Sequence, residues 1–169
     1  MSDAKWLLAR EIPRLRRYAL ALVNDPVAAD DLVQDTLERA IRKRHLWSGR
    51  GSLRGWLYRM QYNLFVNQTT HRSRRRREIE LDDAPALSAP PAHDDRLAVR
   101  EVMTAMSALP VEQRAAIALT AVEGLSYDEA ARALGIRIGT LRSRIARGRE
   151  SLRDVEVAPA EPTHLRRVK

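Results

Sequence analysis

The stretch EGLSYDEAARALGIRIGTLRSRIARGR, residues 123–149, reads as two helices joined by a tight turn. Ser126 is placed to cap a helix N-terminus, and Glu129 three residues on completes a capping box. Tyr127, Ala130, Ala131 and Leu134 then recur at helical spacing. Gly135 supplies the turn, where a left-handed backbone is cheap only for glycine. A second helix opens near Gly139 and Thr140 and runs toward Arg149, with Ile138, Leu141 and Ile145 facing inward. Ala131 sits where the two helices must approach closely. Arg137, Arg142, Arg144, Arg147 and Arg149 are left to point outward, as a helix lying in a DNA major groove requires. A solvated basic surface helix would explain the arginines alone. It does not explain the cap, the small residue, the glycine turn and the second helix together.

Composition agrees with a polyanionic partner. The 169 residues carry a formal net charge of +8 and a sequence pI of about 10.7. No apolar run approaches the roughly 20 residues of a membrane span, so membrane insertion is not expected. The start, MSDAKWLLAREIPRLRR, lacks the apolar core and cleavage site of a signal peptide. With no cysteine, disulfides, thiolate zinc sites and cysteine catalysis are excluded, and a reducing cytoplasm fits. His45, His71, His93 and His164 lie far apart in sequence, so neither a metal site nor a cofactor is expected.

The chain divides in two. Residues 78–95, EIELDDAPALSAPPAHDD, hold six acids, three prolines and no lysine or arginine, and read as a flexible linker. Such a segment spans roughly 60 Å fully extended and about 23 Å as a coil. Residues 1–77 form an all-helical first module. Leu8, Ile12, Leu15, Ala19 and Leu22 line one face of its first helix. Asn24, Asp25 and Pro26 stop that helix and start the next, with Asp25 as cap and Pro26 at the first helical position. The second helix, from about Val27 to Arg44, buries Val33, Leu37, Ala40 and Ile41. After the loop SGRGS, residues 48–52, Ser52 caps a third helix carrying Leu53, Trp56, Leu57, Met60 and Leu64. Residues 96–154 form the second module. Val99, Val102, Met103 and Met106 give its first helix an apolar stripe, and a further helix from about Val111 to Val122 precedes the helix-turn-helix. Residues 155–169 read as a mobile tail. Strand signals are nearly absent, so the fold class is all-α: two small helical domains and a linker.

Two further surfaces carry chemistry. DDLVQDTLERAIRKR, residues 30–44, has an acidic front and a basic back, which complements a helix dipole. Asp31, Gln34, Asp35 and Glu38 share one exposed side, a negative docking face on a basic protein. A nucleic-acid enzyme using Asp30, Asp31, Asp35 and Glu38 with metal is disfavoured, because the acids lie along one short helix without histidine nearby. The third helix, LRGWLYRMQYNLFVNQTTHRSRRRR, mixes aromatics, amides and arginines. Trp56 packs in the core, whereas Tyr58, Tyr62 and Phe65 cannot all face inward on one narrow stripe. At least one is expected to be free to stack on a base. Asn63, Asn67 and Gln68 suit base edges, and the arginines from 72 to 77, Arg72 and Arg74 among them, suit phosphates.

Taken in order, these segments resemble a bacterial RNA polymerase sigma factor of the extracytoplasmic-function class. AADDLVQDTLERA resembles the part of the family's second region that grips core RNA polymerase. LRGWLYRMQYNLFVNQ and its arginines resemble the part that recognises and melts the minus-ten element. LPVEQRAAIALTAVEGLSYDEAARALGIRIGTLRSRIARGRESLR resembles the fourth region, which reads the minus-thirty-five element. The resemblance implies Asp31, Gln34, Asp35 and Glu38 as polymerase contacts. It implies Tyr58, Tyr62, Asn63, Asn67, Arg72 and Arg74 at minus-ten, and Arg137, Thr140, Arg142, Ser143, Arg144 and Arg147 at minus-thirty-five. It implies no catalysis, with promoter DNA, core polymerase and a small anti-sigma protein as partners, in the cytoplasm. IPRLRRYALALVNDPVAADDLVQDTLERAIRKRHLW and NLFVNQ are similar to the general-stress sigma factors of alphaproteobacteria. The sequence holds no receiver domain, so it is expected to be the sigma factor rather than a regulator with a sigma-like domain. Gln61 and Tyr62 depart from residues frequent in relatives, which leaves the minus-ten preference open. Gly148 is expected to weaken the recognition helix by up to about 1 kcal/mol relative to alanine. A conventional helix-turn-helix regulator is the alternative; it leaves the aromatic and basic surface of the third helix idle.

Overall fold

A computed structural model describes residues 2–47, 52–78 and 94–156, with side chains at 7–47, 52–70 and 101–153. Most of the expected linker and nearly all of the expected tail lie outside the described residues. Those described are helical, without a strand: α1 (Ser2–Val23), α2 (Pro26–Arg42), α3 (Leu53–Glu78), α4 (Asp94–Ala108), α5 (Val111–Ile117), α6 (Tyr127–Leu134) and α7 (Ile138–Glu156).

Local chemistry sets the boundaries. Asn24 ends α1 in the left-handed region at φ 53°, which asparagine tolerates. The Asp25 side chain accepts the Ala28 N–H at 2.7 Å, and Pro26 opens α2. Asp30 and Asp31 therefore fall in the second turn of α2 rather than its first, and Asp35 and Glu38 lie further along. Their coupling to the helix dipole is weaker than expected, since that effect fades within one turn. The helix-turn-helix closes as its sequence dictates. The Ser126 hydroxyl accepts the Glu129 N–H, and the Glu129 carboxylate accepts the Ser126 N–H at 2.9 Å. Gly135 takes φ 68°, and the Ile136 N–H then donates to the Ala131 carbonyl at 3.0 Å.

One continuous core runs through both halves. Leu15, Tyr18, Leu22, Leu32, Leu57 and Tyr58 are fully or almost fully buried in the first, and Ala115, Leu119, Ala130, Leu141 and Ile145 in the second. Three expected core residues are instead exposed: Ile12 (37%), Ile41 (41%) and Val102 (56%). Ile12 lies at the edge of the buried arc of α1, and Ile41 about a third of a turn from that of α2. Val102 stands on α4, which packs mainly on α1 and α7. Tyr58 and Phe65 are both buried and Tyr62 is half-buried, contrary to the narrow stripe expected of α3. The reason is that α3 has neighbours on two sides, α1 and α2 on one and α6 on the other.

The helix expected from Val111 to Val122 starts as α5 and widens into a π turn over Ala118–Val122. There the Glu123 N–H reaches back five residues to the Ala118 carbonyl at 3.0 Å. Gly148 has a packing role that counters its low helix propensity. A Cβ at that position would stand 2.6 Å from Ile117 Cδ1 and 3.3 Å from Gln113 Cβ, where α5 and α7 meet. Gly148→Ala should therefore lose stability, by about 1–2 kcal/mol from overpacking, rather than gain what helix propensity offers. Urea denaturation of the two proteins measures the sign.

Candidate nucleic-acid interface

Helix α7 presents Thr140, Arg142, Ser143 and Arg147 to solvent, with Arg137 exposed just before it, while Leu141 and Ile145 anchor the helix against the core. The Ser143 hydroxyl donates to the Thr140 carbonyl of its own helix at 3.0 Å. Arg144 differs from the others: it is half-buried, and its charge lies near enough to the Tyr62 phenol of α3 to oppose the rise of that pKa. Of the residues expected at minus-ten, Asn63 and Asn67 are exposed and Tyr62 is half-buried. Tyr58 is not available to a base in this conformation. It is 0% exposed, its ring meets Tyr18 edge-on at 5.1 Å, and its hydroxyl donates to Glu123 Oε2 at 2.6 Å. Arg72 and Arg74 belong to α3, but their side chains lie outside the described residues. Gln61 is a buried strut, its amide donating to the Leu15 carbonyl at 3.1 Å, which ties α3 to α1.

Asp31, Gln34, Asp35 and Glu38 are all exposed along α2. Gln34 Nε2 donates to Glu38 at 3.4 Å and Gln68 Nε2 to Asp35 at 2.9 Å, so two of the carboxylates are held by amides rather than neutralised by cations. Asp35 borders a cleft of about 500 Å³ that it shares with Arg39, Arg42, Lys43 and Leu64. The ridge thus changes sign along one helix. Among the described residues no cluster of three or more histidines and acids is arranged to hold a metal ion.

A second set of residues carried no signal in the sequence, because the partners lie far apart along the chain. The Glu123 side chain is 0% exposed; its carboxylate accepts from Arg17 Nε at 3.1 Å and from Tyr58. Arg114 donates to the carbonyls of Leu22, Ser107 and Leu109, so one guanidinium caps the C-terminal ends of α1 and α4. Arg54 pairs with Glu11 at 2.9 Å. The Arg59 guanidinium lies over Gly135, where a Cβ would stand 3.3 Å from Nη2. Between them, Arg17–Glu123, Tyr58–Glu123 and Arg114–Leu22 fasten the second half of the chain to the first.

Residues 8–61 match the family described as the Sigma2 domain of PhyR, and residues 99–152 match Sigma-70, region 4. The ECF RNA polymerase sigma factor EcfG of Rhodopseudomonas palustris is 37% identical over 144 residues, covering 83% of this chain and 78% of that protein. The chain belongs to the ECF sigma factors. It is also similar to SigE of Mycolicibacterium smegmatis, at 39% identity over 154 residues and 88% of this chain, but spans only 59% of that relative's length. Among solved structures it resembles the sigma factor RpoE of Bartonella quintana, crystallised with the anti-sigma factor NepR. The TM-score is 0.82 at 32% identity, covering 94% of this chain and all of that one. Both halves superpose in a single match, so the two sigma factors share the arrangement of their modules as well as each module's fold.

Burial gives this arrangement a signature at alkaline pH. It raises the pKa of the Tyr18, Tyr58 and Tyr62 phenols; Glu123 adds to the effect at Tyr58, and Arg144 opposes it at Tyr62. A raised folded-state pKa means that the stability these groups contribute is present below the unfolded value and is lost above it. Stability should therefore fall as pH rises past about 10. Phenolate absorbance from these three residues should appear together with loss of helical circular dichroism, not before it. The single variants Tyr18→Phe and Tyr62→Phe assign the contributions.

Proposed function

We propose that this sigma factor binds core RNA polymerase and directs initiation at stress-type promoters, by binding energy alone. The exposed α2 ridge of Asp31, Gln34, Asp35 and Glu38 docks on a basic surface of the polymerase. Helix α7 enters the major groove at minus-thirty-five with Thr140, Arg142, Ser143, Arg144 and Arg147, joined by Arg137 just before the helix. Tyr62, Asn63, Asn67, Arg72 and Arg74 of α3 take the opened strand at minus-ten, where aromatic stacking contributes roughly 1–3 kcal/mol per base. Extruding a base costs a few kcal/mol, which stacking and phosphate contacts offset. The observation that carries this reading is the pairing of an exposed, arginine-bearing α7 with an exposed acidic ridge on α2; the arginines at 72 and 74–77 add positive charge to the end of α3 by sequence. A regulator that only sits on DNA has no use for the ridge. The likeness to a factor crystallised with NepR supports a small anti-sigma protein as a further partner.

Transcription by purified core polymerase on a promoter-fragment library, with and without the chain, tests the whole reading. Start sites that appear only when the chain is added are expected, and their absence overturns the reading. Asp35→Arg should abolish co-elution with the polymerase while leaving helical content intact. Arg142→Ala should weaken promoter binding by roughly 1–3 kcal/mol if it reads a base, and equally on every sequence if it touches only phosphate.

A further inference from the structure

We propose that Gln68 is a positioning residue for polymerase docking: its amide keeps Asp35 exposed and unpaired with Arg39 of the same helix. The electrostatics of α2 alone favour a different outcome. Asp31 stands four residues before Asp35 and Glu38 three residues after it, and both repel its carboxylate. Arg39 stands four residues after it, the order of acid and base that pairs best along a helix. Arg39, Arg42 and Lys43 line the same cleft of about 500 Å³ as Asp35, and none of the three has an ion-pair partner among the described residues. Cations are therefore at hand, yet Asp35 takes none of them. Its Oδ2 accepts instead from Gln68 Nε2 on α3, at 2.9 Å.

Gln68 lies one helical turn after Leu64, which lines that cleft, so the two share the face of α3 that looks across to α2. Its amide is spent on Asp35 rather than left for a base edge. An amide is neutral: it fixes the carboxylate without cancelling its charge. A guanidinium would cancel that charge and draw the carboxylate off the ridge into the cleft. With Gln68 in place, a basic partner meets a negative charge whose side chain is already held, and less side-chain freedom is lost on docking. The proposal rests on the reading of the α2 ridge as the polymerase-facing surface; the restraint itself belongs to the free chain.

Two measurements on the full chain separate the restraint from the docking. In the free, nitrogen-labelled chain, the Arg39 Nε–H magnetic resonance signal is assigned by its loss in Arg39→Gln. Its exchange with water slows when a carboxylate captures the guanidinium. Gln68→Met keeps the length of the side chain and removes the donor. It should slow that exchange, and adding Asp35→Asn should reverse the effect. Titrated onto core polymerase, Gln68→Met should bind about three- to fivefold more weakly, the span that one exposed charge pair commands. Its affinity should also depend less steeply on salt. Combining it with Arg39→Gln should restore the affinity, because no cation remains at that register to quench Asp35; a folding defect would not be repaired in this way. Equal affinity of Gln68→Met and the unaltered chain overturns the proposal, as does a loss that Arg39→Gln leaves in place. Weaker binding with an unchanged Arg39 signal also overturns it, since Gln68 would then touch the polymerase itself. If Asp35→Asn binds polymerase as tightly as the unaltered chain, the ridge reading itself is wrong, and Gln68 has no docking role even where the Arg39 signal confirms the restraint.

Discussion

A single carboxylate, that of Glu123, fixes how the two halves of this molecule meet. It is fully buried, and its two partners, Arg17 and Tyr58, stand 106 and 65 residues away in sequence. A charge in that position has no solvent to fall back on, so the surrounding elements must present donors to it. The π turn over Ala118–Val122 brings the chain to Glu123, and Tyr58 is buried beneath it. Around this point the other ties gather: Arg114 on the carbonyl of Leu22, and α3 against α6. The exposed Arg16–Asp30 pair at 2.6 Å contrasts with it, being well formed but in water, where such pairs are screened.

Packing treats the arginines of the second module unequally. An arginine-rich helix in solvent is ready for phosphate, and most of α7 is in that state. Arg144 is the exception: it is half-buried and lies near Tyr62 of α3. The acidic ridge of α2 stays exposed.

Much of the local architecture was legible beforehand because its causes are local. The Ser126–Glu129 capping box, the Gly135 turn, the Asn24–Asp25–Pro26 break and the inward Leu141 and Ile145 all follow from residues within one helical turn of each other. The candidate polymerase ridge was equally readable, since i, i+3 and i+4 spacing fixes a shared face on any helix. The surroundings of Tyr58 and Gly148 were not legible, for the opposite reason. Each owes its environment to a helix distant in the chain: α6 and the π turn for Tyr58, α5 for Gly148. Neither periodicity nor propensity contains that information.

By itself, then, the sequence determined the helices, their caps and breaks, the two cationic surfaces and the acidic ridge, since hydrogen bonding and side-chain spacing along one helix decide these within a few residues. Only the tertiary structure decided which aromatic is buried, why a glycine sits inside α7, and how the modules lie against each other. Those outcomes depend on space and charge contributed by residues 30 to more than 100 positions apart, brought together only once the chain has folded.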